Sequence, residues 1–124
     1  MNYSIGDFLI KVKNASMAKN KELTVPSNKQ IEAIAVALKK LGYLDQVKKE
    51  KDTISLSLTF KNKRPLLTDL KLLSKPGIRI YMGVSEIEKR KGPSTYLISS
   101  PTGIISSREA IKTRVGGEVI AEIW

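Results

Sequence analysis

Thr53-Ile54-Ser55-Leu56-Ser57-Leu58-Thr59-Phe60 alternates without a break between hydroxyl-bearing and apolar side chains. In an extended chain successive side chains point to opposite faces, so Ile54, Leu56, Leu58 and Phe60 share one side and Thr53, Ser55, Ser57 and Thr59 the other. A strand apolar on one side only belongs to a sheet covered there and polar elsewhere. Just upstream, Tyr43 to Lys49 reads as the antiparallel partner across the turn-like Glu50-Lys51-Asp52. The cover must come from earlier in the chain. Ser4 to about Ala18 carries Ile5, Phe8, Leu9, Val12 and Ala15 at spacings of three and four, the stripe of an amphipathic helix. Leu23-Thr24-Val25 is a short strand stopped by Pro26. Ser27 and Gln30 read as a capping box for a second helix through about Leu41, with Ile31, Ile34, Ala35 and Leu38 inward and Gly42 as its left-handed stop.

Beyond the hairpin the pattern changes. Lys61-Asn62-Lys63-Arg64-Pro65 is short, basic and ended by proline, the best boundary or linker in the chain. Leu66 to Leu73 and Ile78 to Met82 read as strands around a Lys75-Pro76-Gly77 turn. Ser85 to Pro93 reads as a helical turn or a loop, and Thr95 to Ser99 as a strand before the Pro101-Thr102-Gly103 turn. Ser106 and Glu109 mark a capping box for a two-turn helix ending near Arg114, and Glu118 to Trp124 reads as the last strand. The expected fold class is α+β. Residues 1–62 form an N-terminal α/β lobe of two helices on a small sheet, and residues 63–124 a mostly β lobe with one short helix.

Composition narrows the function. With no cysteine there is no disulfide and no thiolate metal site, and with no histidine the most common general base and metal ligand is missing. No catalytic residue, cofactor or metal is expected, and no apolar run is long enough to cross a bilayer. These features suit a cytoplasmic protein. The 22 Lys and Arg outnumber the 12 Asp and Glu, leaving +10. Through Lys51 there are ten against five, and after it twelve against seven, so each part carries +5. An excess spread through a fold, rather than held in a tail, suits a polyanion, with nucleic acid first among them.

Three places carry chemistry suited to RNA. Ser99-Ser100-Pro101-Thr102-Gly103 is a small, hydroxyl-rich turn able to approach the shallow minor groove and its 2′-hydroxyls, or else an ordinary turn. Lys75 and Arg79 flank a Pro-Gly turn where they can hold phosphates, and Tyr81 either stacks on a base or ribose or packs on the sheet. Gly116-Gly117-Glu118 permits a close approach and offers a carboxylate acceptor, or is a helix stop followed by a surface Glu. Lysines 11, 13, 29, 61 and 63 are individually unspecific. A duplex-DNA binder shares this charge, and a carboxylate-dependent nuclease would need acidic residues clustered around a divalent metal.

The order of these pieces resembles the bacterial-type small-subunit ribosomal protein S-eight family over essentially the whole chain. The resemblance is carried by Asp7-Phe8-Leu9 with Lys13-Asn14-Ala15, by Val25-Pro26-Ser27 with Lys29 and Leu38 to Gly42, and by Ser74-Lys75-Pro76-Gly77-Ile78-Arg79-Ile80-Tyr81. Ile98-Ser99-Ser100, Gly103-Ile104, Arg108-Glu109-Ala110 and Val115-Gly116-Gly117-Glu118-Val119 then follow in the family's order. It implies a structural, non-enzymatic protein of the small ribosomal subunit. Such a protein binds the central domain of small-subunit ribosomal RNA, mainly through the minor groove of one irregular stem, and supports assembly. The partners implied are that RNA, neighbouring small-subunit proteins and the protein's own messenger RNA, with no membrane. The RNA-binding residues implied are Lys13, Asn14, Ser27, Lys29, Lys75, Arg79, Tyr81, Ser99, Ser100, Thr102, Gly103, Gly116, Gly117 and Glu118. Two departures stand out. The family's loop usually reads Ser-Thr-Ser-Lys-Gly, whereas here Pro101 and Thr102 take the place of a serine and a lysine. Lys89 to Thr95 lacks the usual Gly-Leu-Gly.

Overall fold

A strand as clean as Thr53–Leu58 organises everything before it. The computed structural model describes residues 4–75, 77–90, 92 and 94–124, and their contacts group into two units, one ending at Asp69 and the other Leu70–Trp124. In the first unit, helix α1 (Ser4–Met17), strand β1 (Glu22–Pro26) and helix α2 (Lys29–Lys40) precede the hairpin of β2 (Leu44–Lys49) and β3 (Thr53–Leu58). The three strands run antiparallel in the order β1-β3-β2. Ile54, Leu56 and Leu58 are sealed, as are Phe8, Leu9, Val12 and Ala15 of α1 and Ile31, Ile34, Ala35 and Leu38 of α2. The expected period-two and helical stripes are therefore the core of this unit. The buried Ser16 hydroxyl donates to the Leu67 carbonyl.

Two local expectations need correcting. The cap of α2 is Asn28, whose side chain accepts from the Ile31 amide at 2.9 Å, because the Ser27 hydroxyl instead donates to Glu32 at 2.8 Å. The helix stops as expected, with Gly42 at φ +91 and the Tyr43 amide donating back to the Leu38 carbonyl. The alternation of β3 does not extend to Phe60, which is half-buried and pairs in a separate small hairpin, β4 (Phe60–Lys61) with β5 (Arg64–Pro65).

The second unit is built on β10 (Gly117–Ile123). One edge pairs with β6 (Leu70–Leu72) and β7 (Tyr81–Met82), and the other with β8 (Thr95–Ser100), which pairs with β9 (Gly103–Ser106). Helices α3 (Val84–Lys89) and α4 (Ser107–Thr113) complete it. Met82, Ile87, Tyr96, Ile98, Ile105, Ala110 and Val119 form its core cluster. The Ser106 hydroxyl caps α4 by accepting from the Glu109 amide at 3.2 Å, as the sequence predicts. Among the described residues there are two short helices here rather than one. The start of α3 at Gly83 has no side-chain cap to announce it, and the helix is anchored by buried Ile87. The strands expected at 66–73 and 78–82 shrink to β6 and β7, with Ile78 reduced to a bridge with Lys75. Strand β9 was not anticipated, since Gly103-Ile104-Ile105-Ser106 is too short and too unbroken in apolarity to show a period.

Candidate nucleic-acid interface

Residues paired across an antiparallel ladder point to the same face. Glu118 pairs with Tyr81 on one side and Ser99 on the other, and Ser99 pairs with Ile104. Tyr81, Glu118, Ser99 and Ile104 therefore form one row across four strands. The next row, Val119, Ile98 and Ile105, faces the core. Alternation thus leaves the first row outward, and Tyr81 is 67% exposed. The Tyr81 ring is free to stack rather than pack. Arg79 Nη1 lies 3.2 Å from Glu118 Oε2, so the carboxylate holds a guanidinium beside the tyrosine while keeping other lone pairs for a donor.

Backbone contacts set the spacing of this row. A Cβ on Gly117 would overlap the Ser99 carbonyl oxygen, 2.9 Å from its carbonyl carbon and 3.1 Å from Ser100 Cα, and one on Gly116 would overlap the Met82 carbonyl and sit 2.9 Å from Gly83 Cα. The glycine pair lets β10 close on both neighbours where the row begins. The left-handed residue that ends α4 is Arg114 at φ 60, so the glycines are not the helix stop. On the tyrosine side, the buried Ser74 hydroxyl donates to the Val119 carbonyl at 2.7 Å and accepts from the Ile80 amide at 2.9 Å.

The β8–β9 turn is held by its own hydroxyls. Ser100 Oγ donates to the Gly103 carbonyl at 2.8 Å and accepts from the Thr102 amide at 3.2 Å. Its one proton being used, the 2.9 Å contact with Thr102 Oγ1 takes its proton from threonine. Gly103 closes the turn at φ +124. Ser99 carries a hydroxyl with no hydrogen bond among the described residues, facing out beside Glu118. Lys75 and Ile78 exchange backbone hydrogen bonds at 2.7 and 2.9 Å around Gly77, leaving Ile78 66% exposed. Pro76 of that turn, and Lys91 and Pro93 of the basic run after α3, lie outside the described residues.

In the N-terminal unit, Lys13 Nζ is 3.2 Å from Asp69, and Asn14, one residue on, is exposed. Ser27 and exposed Lys29 stand at the entrance of α2. There the Ser27 hydroxyl, and next the Lys49 ammonium 3.1 Å away, hold the Glu32 carboxyl below the usual carboxylate range. No group of three or more metal-ligating side chains occurs among the described residues, and no described helix is long and apolar enough to cross a membrane.

The family model described as Ribosomal protein S8 matches residues 3–124. The chain belongs to that family. It is 38% identical over 121 residues to the small ribosomal subunit protein uS8 of Nitratidesulfovibrio vulgaris strain DP4, covering 97% of this chain and 96% of the relative. The protein of the same name from Trichormus variabilis is 35% identical over 130 residues, covering 99% and 98%, and that from Roseiflexus castenholzii 38% over 130 residues, covering 100% and 98%. The family is one of ribosomal proteins, structural rather than catalytic.

Of the residues read from the sequence, Lys75, Arg79, Tyr81, Ser99, Ser100, Thr102, Gly103, Gly116, Gly117 and Glu118 fall in the C-terminal unit. Of these, Tyr81, Ser99 and Glu118 share one row, Arg79 is held on it by Glu118, and Gly116 and Gly117 set its spacing. Lys13, Asn14, Ser27 and Lys29 belong to the N-terminal unit. Ser74 was missed as a positioning residue. Its only signal is a small polar side chain inside an apolar stretch. Ile78, exposed beside Arg79, was likewise read only as part of a strand.

Proposed function

We propose that this protein, a component of the small ribosomal subunit, binds the central domain of small-subunit ribosomal RNA and supports its assembly. The C-terminal row enters the minor groove of one stem. The observation that carries this reading is the outward row Tyr81–Glu118–Ser99 beside a turn closed by its own hydroxyls. A-form RNA displays 2′-hydroxyls in a wide, shallow minor groove, which a narrow, uncharged, rigid turn fits. The free Ser99 hydroxyl donates to or accepts from ribose and base edges, and the spare lone pairs of Glu118 accept from them. Tyr81 stacks, and Lys75 and Arg79 meet phosphates. In the N-terminal unit Asn14 and Lys29 supply further contacts. Because recognition is by shape and 2′-hydroxyls, a stem of the same form in the protein's own messenger RNA is a second target.

Footprinting on small-subunit ribosomal RNA tests this. Ser99→Ala removes an uncommitted hydroxyl without touching the turn and is expected to weaken binding about fivefold, the equivalent of ~1 kcal/mol for one hydrogen bond. Protection confined to one stem and weakened by this substitution supports the reading. Protection spread over the whole RNA and indifferent to it would leave only a generic polycation.

A further inference from the structure

The segment Lys61-Asn62-Lys63-Arg64-Pro65, expected as a linker, is the tip of a tight hairpin. Strands β4 and β5 pair Phe60 with Pro65 and Lys61 with Arg64, leaving Asn62 and Lys63 as a two-residue loop. Both loop residues are left-handed, at φ 54 and φ 64, as a type I′ turn requires. The Leu66 amide donates to the Thr59 carbonyl at 2.8 Å and the Thr59 amide to the Tyr43 carbonyl at 3.1 Å, so the hairpin is rooted beside the end of the main sheet. Lys61, Asn62, Lys63 and Arg64 are all exposed.

Two choices in this hairpin oppose its own folding. Asn tolerates the left-handed region, but lysine is disfavoured there, and glycine is the residue this second loop position prefers. The register also sets Lys61 directly opposite Arg64, and like charges facing across a rung repel. Neither cost is offset among the described residues. Among the described residues Lys61, Lys63 and Arg64 take part in no ion pair. Local choices that weaken a fold without an internal compensation mark positions kept for another purpose. Three cations on a rigid, narrow hairpin match a run of phosphates.

We infer that the β4–β5 hairpin is a second RNA contact, in which Lys61, Lys63 and Arg64 clamp the sugar-phosphate backbone independently of the serine turn. This rests on the RNA-binding reading above. The contact is electrostatic and blind to sequence, so it adds affinity and a steeper salt dependence rather than choice of site.

The test uses variants that improve the hairpin while removing its charge. Lys63→Gly creates the favoured Asn-Gly turn, and Arg64→Glu turns a repelling rung into an attracting one. The full-length double variant is expected to melt at the same temperature as wild type or higher. Titrated with small-subunit ribosomal RNA across a range of KCl concentrations, it is expected to show a log K against log [salt] slope shallower by about 2 to 3. Its Ser99-dependent footprint remains. An unchanged slope in a folded variant overturns the inference and leaves the serine-turn reading intact. An unchanged slope together with failure to enter reconstituted subunits also overturns it, because the hairpin then meets a protein. A wild-type chain that does not bind the RNA at all overturns the underlying reading, and this contact with it.

Discussion

Gly117→Ala is the substitution that most directly tests how the proposed interface is built. An alanine Cβ at this position would overlap the Ser99 carbonyl oxygen and lie 2.9 Å from its carbonyl carbon, where ordinary contact begins at 3.4 Å. The neighbour is backbone of a paired strand, so no side chain can swing aside. To clear the carbonyl carbon alone, β8 must withdraw by about 0.5 Å, at the end of the ladder that pairs Glu118 with Ser99. Overpacking of this kind costs about 1–3 kcal/mol. At about 4 °C per kcal/mol for a domain of this size, the melting temperature should fall by about 4–12 °C. Gly92→Ala is the control. Its Cβ meets nothing within 4 Å, so stability should be unchanged or raised by up to ~1 kcal/mol.

The same displacement moves the Ser99 hydroxyl relative to Glu118 and Tyr81. Measured well below the lowered melting temperature, RNA affinity should therefore drop at least as far as in Ser99→Ala, about fivefold. Urea unfolding and RNA titration of the two alanine variants together decide the matter. A Gly117→Ala protein as stable as Gly92→Ala, or one that loses stability while binding RNA like wild type, would refute the argument that the glycine pair sets the spacing of the row.

Three further outcomes follow from single groups. Ser74→Ala leaves the half-buried Ile80 amide and the buried Val119 carbonyl without their hydroxyl, and should cost about 1–3 kcal/mol in urea unfolding; a smaller loss would mean that other partners satisfy them. Ser27→Ala should raise the lowered Glu32 pKa toward its ordinary value, followed by carboxyl NMR titration. Because that pKa is depressed on folding, its contribution is full above the ordinary carboxylate pKa and is lost as pH falls through the folded value. An unmoved titration in the variant would show that Lys49 and Lys29 set it without the serine. Thr102→Lys keeps the backbone amide that donates to Ser100 Oγ and adds a cation at the tip of the turn. It should fold normally and steepen the salt dependence of RNA binding by about 0.9, and an unchanged slope would place the tip away from any phosphate.

Elements with a strict period were legible, because period is a property of the chain itself. Ile54, Leu56 and Leu58 revealed the strand and its buried side, and Ser106 with Glu109 marked a helix start that the structure keeps. What stayed hidden depends on competition between neighbours. Ser27 and Asn28 are both good caps, and Asn28 takes the role because Glu32, itself paired with Lys49, engages the serine hydroxyl. The β4–β5 hairpin was hidden because its loop reads Asn-Lys, without the glycine that announces such a turn. Ser99 and Ser100 look equivalent in sequence. Only the folded turn separates a hydroxyl spent on Gly103 and Thr102 from one left outward.

That separation bears on how the proposed recognition surface can be precise while its loop varies. Tyr81, Glu118 and Ser99 sit on three adjacent strands, so their spacing is the strand spacing, set by main-chain hydrogen bonds and by the glycines that allow them. Strand β7 is only two residues long and could not hold Tyr81 by pairing alone; the buried Ser74 hydroxyl fixes the Ile80 amide and the Val119 carbonyl next to it. The turn is closed by Ser100 acting on the backbone of Gly103 and Thr102, contacts that do not depend on what side chain occupies position 101. Pro101 has no amide proton to offer, yet nothing in the closure asks for one. The demands on residue type therefore fall on the buried and backbone-facing positions, Ser74, Ser100, Gly116 and Gly117. The tip is then free to exchange a serine for proline or a lysine for threonine without disturbing the row that it stands beside.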